Sequence, residues 1–125
     1  MLPNDRKYTK EHEWIALEGE FCRIGITDHA QSQLGDITFV ELPEEGDQFQ
    51  AGDTLVVVES VKAASPVYCP IAGEGVEINA ALEDTPEAVN ETPYEAWMAK
   101  LRPANVADLD ALMDADTYAA FLAEA

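Results

Sequence analysis

The chain has 125 residues, 25 of them acidic and 7 basic, for a formal net charge of -18. That length suits one domain able to bury roughly two-thirds of its unfolded surface, and an apolar content of 47% excludes intrinsic disorder. The charge disfavours nucleic acid and anionic membrane as partners, because both would repel it, and it fits either docking to basic patches on other proteins or a surface adapted to salt.

The opening Met1-Leu2-Pro3-Asn4-Asp5 carries no signal or transit pattern, and no apolar run is long enough to span a bilayer. A cytoplasmic location is therefore expected, with Cys22 and Cys69 as free, buried thiols. Residues 14–17 and 21–26, around Glu18-Gly19-Glu20, predict a hairpin. Thr27 and Asp28 are good caps for a short helix ending at Gly35. Residues 36–42 predict a strand stopped by Pro43 and Gly46, and residues 48–50 a short, half-apolar one. Gly52-Asp53 is a turn, and residues 54–58 carry the strongest strand signal. Residues 66–70 and 73–79 predict two more short strands. Such close spacing predicts a mainly β fold, a sandwich of two small antiparallel sheets or flattened barrel. Gly46-Asp47, Gly52-Asp53 and Gly75-Val76 form a weak internal echo, consistent with two similar hairpins.

The second half changes character. Residues 86–90 predict about one turn of helix with proline at its start. Residues 97–101 predict a last strand, and Pro103 breaks the pattern. Val106, Leu109, Leu112 and Met113 fall at helical spacing behind Asn105 as a cap. Residues 117–125 predict a second helix, capped by Asp114 or Asp116, with Tyr118, Phe121 and Leu122 on one side. No low-complexity linker divides the chain. Residues 1–125 are expected as a single domain, with 104–125 as a helical tail, and a monomer.

Most catalytic templates fail. Gly73-Glu74-Gly75 is not followed by the lysine and hydroxyl of a phosphate loop. His12, His29 and the two cysteines match no zinc spacing, so no metal is expected. No nucleophile elbow is present, and no catalytic residue is assigned. Glu11-His12-Glu13-Trp14 reads as a strand start with Trp14 buried and His12 solvated, or as a segment bordering a ligand groove. Lys62 is the only lysine between Lys10 and Lys100. It stands in Glu59-Ser60-Val61-Lys62-Ala63, between two strand-like runs. On composition alone it is a solvated surface charge. On position it is an amine presented rigidly on a tight turn, open to acylation by another enzyme. Acylation would remove its charge.

The ordered motifs resemble one family. They are Tyr8-Thr9-Lys10-Glu11-His12-Glu13-Trp14, Gly25-Ile26-Thr27-Asp28-His29-Ala30-Gln31, Leu34-Gly35-Asp36, Phe39-Val40-Glu41-Leu42-Pro43 and Glu59-Ser60-Val61-Lys62-Ala63. Gly73-Glu74, Val76-Glu77-Ile78-Asn79, Leu82-Glu83, Val89-Asn90, Pro93-Tyr94 and Trp97 continue the match. Together they cover nearly the whole chain in order, and the chain resembles the H proteins of the glycine cleavage system. The resemblance implies a lipoyl-domain-like sandwich with lipoate amide-linked to Lys62 and Glu59, Ser60, Val61 and Ala63 as recognition context. Glu13 aligns with an acid of the groove that shelters the arm. The implied role is that of a non-catalytic carrier of the aminomethyl group of glycine. The implied partners are the pyridoxal-phosphate glycine decarboxylase, the tetrahydrofolate-dependent aminomethyltransferase, dihydrolipoamide dehydrogenase and the lipoate-attaching enzymes. Pro66 stands where the family often has an acid, Gln33 where some members have histidine, and Ala96 where a glycine often precedes the tryptophan. Among alternatives, a biotin carrier usually has Met on both sides of the lysine, where this chain has Val61 and Ala63. A lipoyl domain of a 2-oxoacid dehydrogenase usually shows Asp-Lys-Ala within a longer chain. An H-like lipoyl protein serving lipoate relay or sulfur oxidation is the remaining alternative.

Overall fold

The computed structural model describes residues 2–124. In chain order the strands are β1 (Lys7–Tyr8), β2 (Glu13–Glu18), β3 (Phe21–Ile26), β4 (Ile37–Glu41), β5 (Gln48–Phe49), β6 (Thr54–Ser60), β7 (Ala64–Tyr68), β8 (Gly73–Ile78) and β9 (Ala99–Pro103). The helices are α1 (Asp28–Leu34), α2 (Ala81–Asp84), α3 (Ala88–Glu91), a 3-10 helix over Val106–Ala111, and α4 (Ala115–Glu124). A six-stranded sheet runs β1-β2-β3-β9-β8-β5, and a three-stranded sheet runs β4-β6-β7. Every strand pair is antiparallel. The two-sheet sandwich is as expected, but the flattened barrel is not formed. Among the described residues no ladder joins the two sheets.

The inner faces meet in one apolar core. Ile15, Ile24, Met98 and Leu101 come from the larger sheet and its approach, and Ile37, Val40, Val56, Val58 and Val67 from the smaller. Leu82 of α2 and Val89 of α3 close one side of it. Strand β2 departs from simple alternation, because Glu13, Trp14 and Ile15 are all buried. Successive strand side chains point to opposite faces, so both faces of this strand must be covered. Ile15 faces the core between the sheets. Trp14 faces outward into a second cluster with Tyr8 and Tyr118, against which Phe121 and Leu122 of α4 pack. Gly25 lies opposite Trp14 in the register. A Cβ there would sit 2.6 Å from the indole, so only glycine admits the ring.

Two members of the internal echo are a repeated turn, while the third, Gly75-Val76, lies inside β8. Residues 44–47 and 50–53 each close with an i+3 backbone bond, Asp47 N–H to Glu44 O and Asp53 N–H to Gln50 O. In each, the aspartate carboxylate also accepts the first residue's N–H. The glycines adopt φ +94° and +91°, as the third residue of such a turn requires. Gly46 N–H then donates to Gly75 O and Gly52 N–H to Cys69 O, so each turn docks on its own return strand.

Several boundaries differ from expectation. The strand predicted over 66–70 is β7, shifted two residues earlier, and Pro66 is admitted because β7 is an edge strand. The strand predicted over 97–101 is β9, which ends on Pro103. Asn105 caps as expected, accepting from Ala107 N–H, but what it caps is a 3-10 helix, with Leu109 buried and Val106 exposed. The last helix starts at Ala115, and Asp114 accepts from Thr117 N–H. Its predicted last residue, Ala125, lies outside the described residues.

Candidate functional site: the Lys62 hairpin and its groove

Strands β6 and β7 pair from Thr54 to Glu59 against Tyr68 to Ala64, and residues 60–63 turn the corner. Ser60 organises that turn. Its backbone N–H donates to Ala63 O at 2.9 Å, and its hydroxyl oxygen accepts from Lys62 and Ala63 N–H at 3.2 and 3.3 Å. Val61 N–H donates to Asp36 O at 3.1 Å, which ties the tip to the α1–β4 turn. Glu59 is exposed opposite Ala64 and Phe39, and Val61 is 69% exposed beside the lysine.

Lys62 is exposed, and its Nζ donates to Gln33 O at 3.3 Å. Among the described residues its amine forms no salt bridge. Its stem passes Gly35, where a Cβ would meet Lys62 Cε at 3.5 Å. Gly35 also ends α1 at φ +79°, so glycine serves there both as helix stop and as track for the lysine. Asn90 on α3 holds that turn from behind. Its Oδ1 accepts Ile37 N–H at 2.8 Å, and its Nδ2 donates to Gly35 O at 2.9 Å and Gln31 Oε1 at 2.8 Å.

Beyond Gln33 lies a groove of about 620 Å³ between β2, α1, β7 and α4. Ile26, Ala30, Leu34, Val67 and Leu122 supply its apolar wall, and Glu11, His12, Glu13, His29 and Gln33 its polar one. Glu13 is 3% exposed and is already satisfied. Oε1 accepts from the Thr9 hydroxyl at 2.7 Å and Oε2 from Tyr68 N–H at 3.0 Å, so the carboxylate clamps the larger sheet to the smaller. Burial pushes its pKa up, and the Thr9 and Tyr68 bonds only partly offset that. His12 is not solvated as one reading expected. It is half-buried, with Nδ1 2.7 Å from the Tyr118 hydroxyl and its ring 4.5 Å from that of His29. Burial, then His29, holds its pKa below the usual histidine value, against a smaller opposing pull from Glu11. Cys22 and Cys69 are buried free thiols, raised by burial to about 11 and about 12.

A family model described as "Glycine cleavage H-protein" matches residues 6–125. The chain belongs to the glycine cleavage H-protein family. Similar relatives include the glycine cleavage system H protein of Bacteroides fragilis, 55% identical over 120 residues and covering 95% of each chain. The H protein of Halalkalibacterium halodurans is 52% identical over 124 residues, covering 98% of this chain and 97% of its own. The crystal structure of a glycine cleavage system H protein from Mycobacterium marinum superposes with a TM-score of 0.89 at 37% identity, covering 98% of this chain and 99% of that one.

The structure places Glu59, Ser60, Val61, Lys62 and Ala63 on one hairpin tip, and Glu13 in the adjoining groove. Both family departures that concern the groove, Gln33 and Pro66, line it. Sequence reasoning did not find Asn90 as the brace behind Lys62, nor Thr27 and Tyr118 as partners of His12. Thr27 is also the expected helix cap, accepting Ala30 N–H at 3.2 Å. Asn90 carried one available signal, a polar residue beside the apolar Val89 on a short helix.

Proposed function

We propose that this chain is the lipoyl carrier of the glycine cleavage system, with lipoate amide-linked to Lys62 Nζ. The observation that carries the reading is the placement of Lys62, an exposed amine on a braced hairpin tip beside a groove of about 620 Å³. The site fits an amide-linked arm. The amine gives up only one bond to a backbone carbonyl when acylated, and the tip stays rigid because Ser60 and Asp36 hold its backbone and not its side chain. Once attached, lipoate supplies a dithiolane that takes up the aminomethyl group of glycine and is later reoxidised.

The chain's residues then have separable tasks. Ser60 sets the turn that an attaching enzyme reads by shape, with Glu59, Val61 and Ala63 exposed around it. Loss of the lysine charge on acylation frees the arm from the Gln33 carbonyl. The apolar wall at Ile26, Leu34, Val67 and Leu122 limits water around a docked arm, and Glu13 keeps the two sheets at the spacing that makes the groove. The chain performs no bond-making step itself and serves as a single carrier domain. Its partners are the glycine decarboxylase, the aminomethyltransferase, dihydrolipoamide dehydrogenase and the lipoate-attaching enzymes. It acts as a monomer in the cytoplasm. The acidic surface favours docking to basic faces on those partners.

Protein from lipoate-replete native cells is expected to exceed its sequence mass by one lipoyl group, and Lys62→Arg to abolish the increase. The lipoylated protein is expected to support glycine-dependent carbon dioxide exchange with the decarboxylase. An unmodified Lys62 would sink the carrier reading, and a lipoylated but exchange-inactive protein would move it to another lipoyl pathway.

A further inference from the structure

His12 is held more firmly than a groove-lining side chain needs to be. Its backbone adopts φ +69°, the only positive φ among the described non-glycine residues. That conformation costs about 1–2 kcal/mol. It is fixed by His12 N–H donating to Thr9 O at 3.1 Å and by His12 O accepting Thr27 N–H at 3.0 Å. The ring is gripped as well, between His29 of α1 and Tyr118 and Phe121 of α4.

The hydrogens of this cluster can be assigned by satisfaction. Thr27 is 0% exposed, and its Oγ1 already accepts Ala30 N–H. Its own hydroxyl hydrogen needs an acceptor, and the polar atom in reach is the Tyr118 oxygen at 2.9 Å. The Tyr118 hydroxyl hydrogen is then left for His12 Nδ1 at 2.7 Å. The chain of donors runs Thr27 to Tyr118 to His12, and it makes Nδ1 an acceptor. That arrangement assigns the ring proton to Nε2. Protonating Nδ1 would turn the Tyr118 hydroxyl back toward Thr27 and strand the Thr27 hydrogen in the interior.

We propose that Thr27 and Tyr118 are positioning residues that hold His12 as a neutral imidazole, and that this neutral wall lets the groove accept an arm whose cargo is cationic. The inference rests on the carrier reading, since the cargo's amine is the cation in question. The groups facing His12 agree with it. Burial, first, opposes a charge on His12, the neighbouring His29 ring adds to that, and Glu11 provides the weaker opposing pull. Glu13 already accepts from the Thr9 hydroxyl through one oxygen and from Tyr68 N–H through the other, and among the described residues no hydrogen bond joins it to the His12 ring. As pH falls and His12 gains a proton, the groove gains a positive charge and rejects the cargo.

The test has two readouts. Nitrogen-15 spectra of histidine-labelled, lipoate-free protein are expected to show His12 with its proton on Nε2 at neutral pH and a midpoint below the ordinary histidine value. Thr27→Ser, which keeps the donor chain, is expected to preserve both. The second readout is the rate at which aminomethyl-loaded protein releases ammonia, measured from pH 8 to pH 5. Wild type is expected to lose cargo at least about threefold faster once His12 is charged, the lower bound set by two unit charges on the order of 6 Å apart at the full dielectric of water. His12→Asn tolerates a positive φ and still offers Tyr118 an acceptor, but it cannot be protonated. It is expected to lack the acid-side acceleration. A His12 proton on Nδ1 would overturn the proposal, as would identical acid profiles for wild type and His12→Asn. The nitrogen spectra need no lipoate, so their result stands apart from any failure of Lys62 to be modified.

Discussion

Replacing Asn90 by alanine removes three hydrogen bonds behind the turn that carries Gly35 and faces Lys62. They are not equal. Ile37 is 4% exposed, and Asn90 Oδ1 is the acceptor for its N–H, so truncation strands a buried donor at a cost of about 1–3 kcal/mol. The bond to Gly35 O adds about 1 kcal/mol, and Gln31 Oε1 is half-buried and can turn to water for almost nothing. The sum is about 2–4 kcal/mol. At a urea slope of about 2 kcal/mol per M, the unfolding midpoint falls by about 1–2 M with the slope unchanged. Functionally, the freed turn lets the hairpin tip drift, so the initial rate of Lys62 lipoylation is expected to fall while the final extent stays complete. Urea titration followed by near-ultraviolet circular dichroism, and intact mass against time, measure the two effects. A midpoint within about 0.3 M of wild type would refute the reasoning, because water would then be satisfying Ile37.

Gly25→Ala places a methyl 2.6 Å from the Trp14 ring and is expected to cost about 1–3 kcal/mol, a fall of about 4 °C in Tm for each kcal/mol, read by calorimetry. Cys22 and Cys69, raised to about 11 and about 12 by burial, are expected to resist iodoacetamide at pH 8 in the native protein and to take two labels in denaturant; native labelling would contradict their burial. Glu13 has a folded pKa above its unfolded one, so the fold binds its proton more tightly. Its favourable contribution is complete below the unfolded value of about 4.5 and is lost as pH rises through the raised folded value. Glu13→Gln is therefore expected to flatten the acid side of a stability-against-pH curve, measured by urea unfolding at each pH.

Much of the fold is legible along the chain because its causes are local. Thr27 and Gly35 bracket α1 through a side-chain cap and a left-handed stop within nine residues of sequence. Gly46-Asp47 and Gly52-Asp53 announce their turns by residue type, and the echo between them is a repeated hydrogen-bond pattern. The strand at Thr54–Ser60 follows from its valines. The boundaries of β7 and β9 were less legible, because proline position marks a strand's end only when the neighbouring strand is known.

Sequence by itself determined that a lone lysine sits on a short turn between two strands, in a chain whose ordered motifs match one family. Only tertiary structure decided what surrounds that lysine. Lys62 meets Gln33 across 29 residues of chain, Glu13 clamps Tyr68 across 55, and His12 meets Tyr118 across 106. None of these pairs leaves a periodic trace. Each is a single polar contact whose partner is chosen by how two sheets and a tail helix pack, and the burial that shifts Glu13 and His12 exists only once that packing is complete.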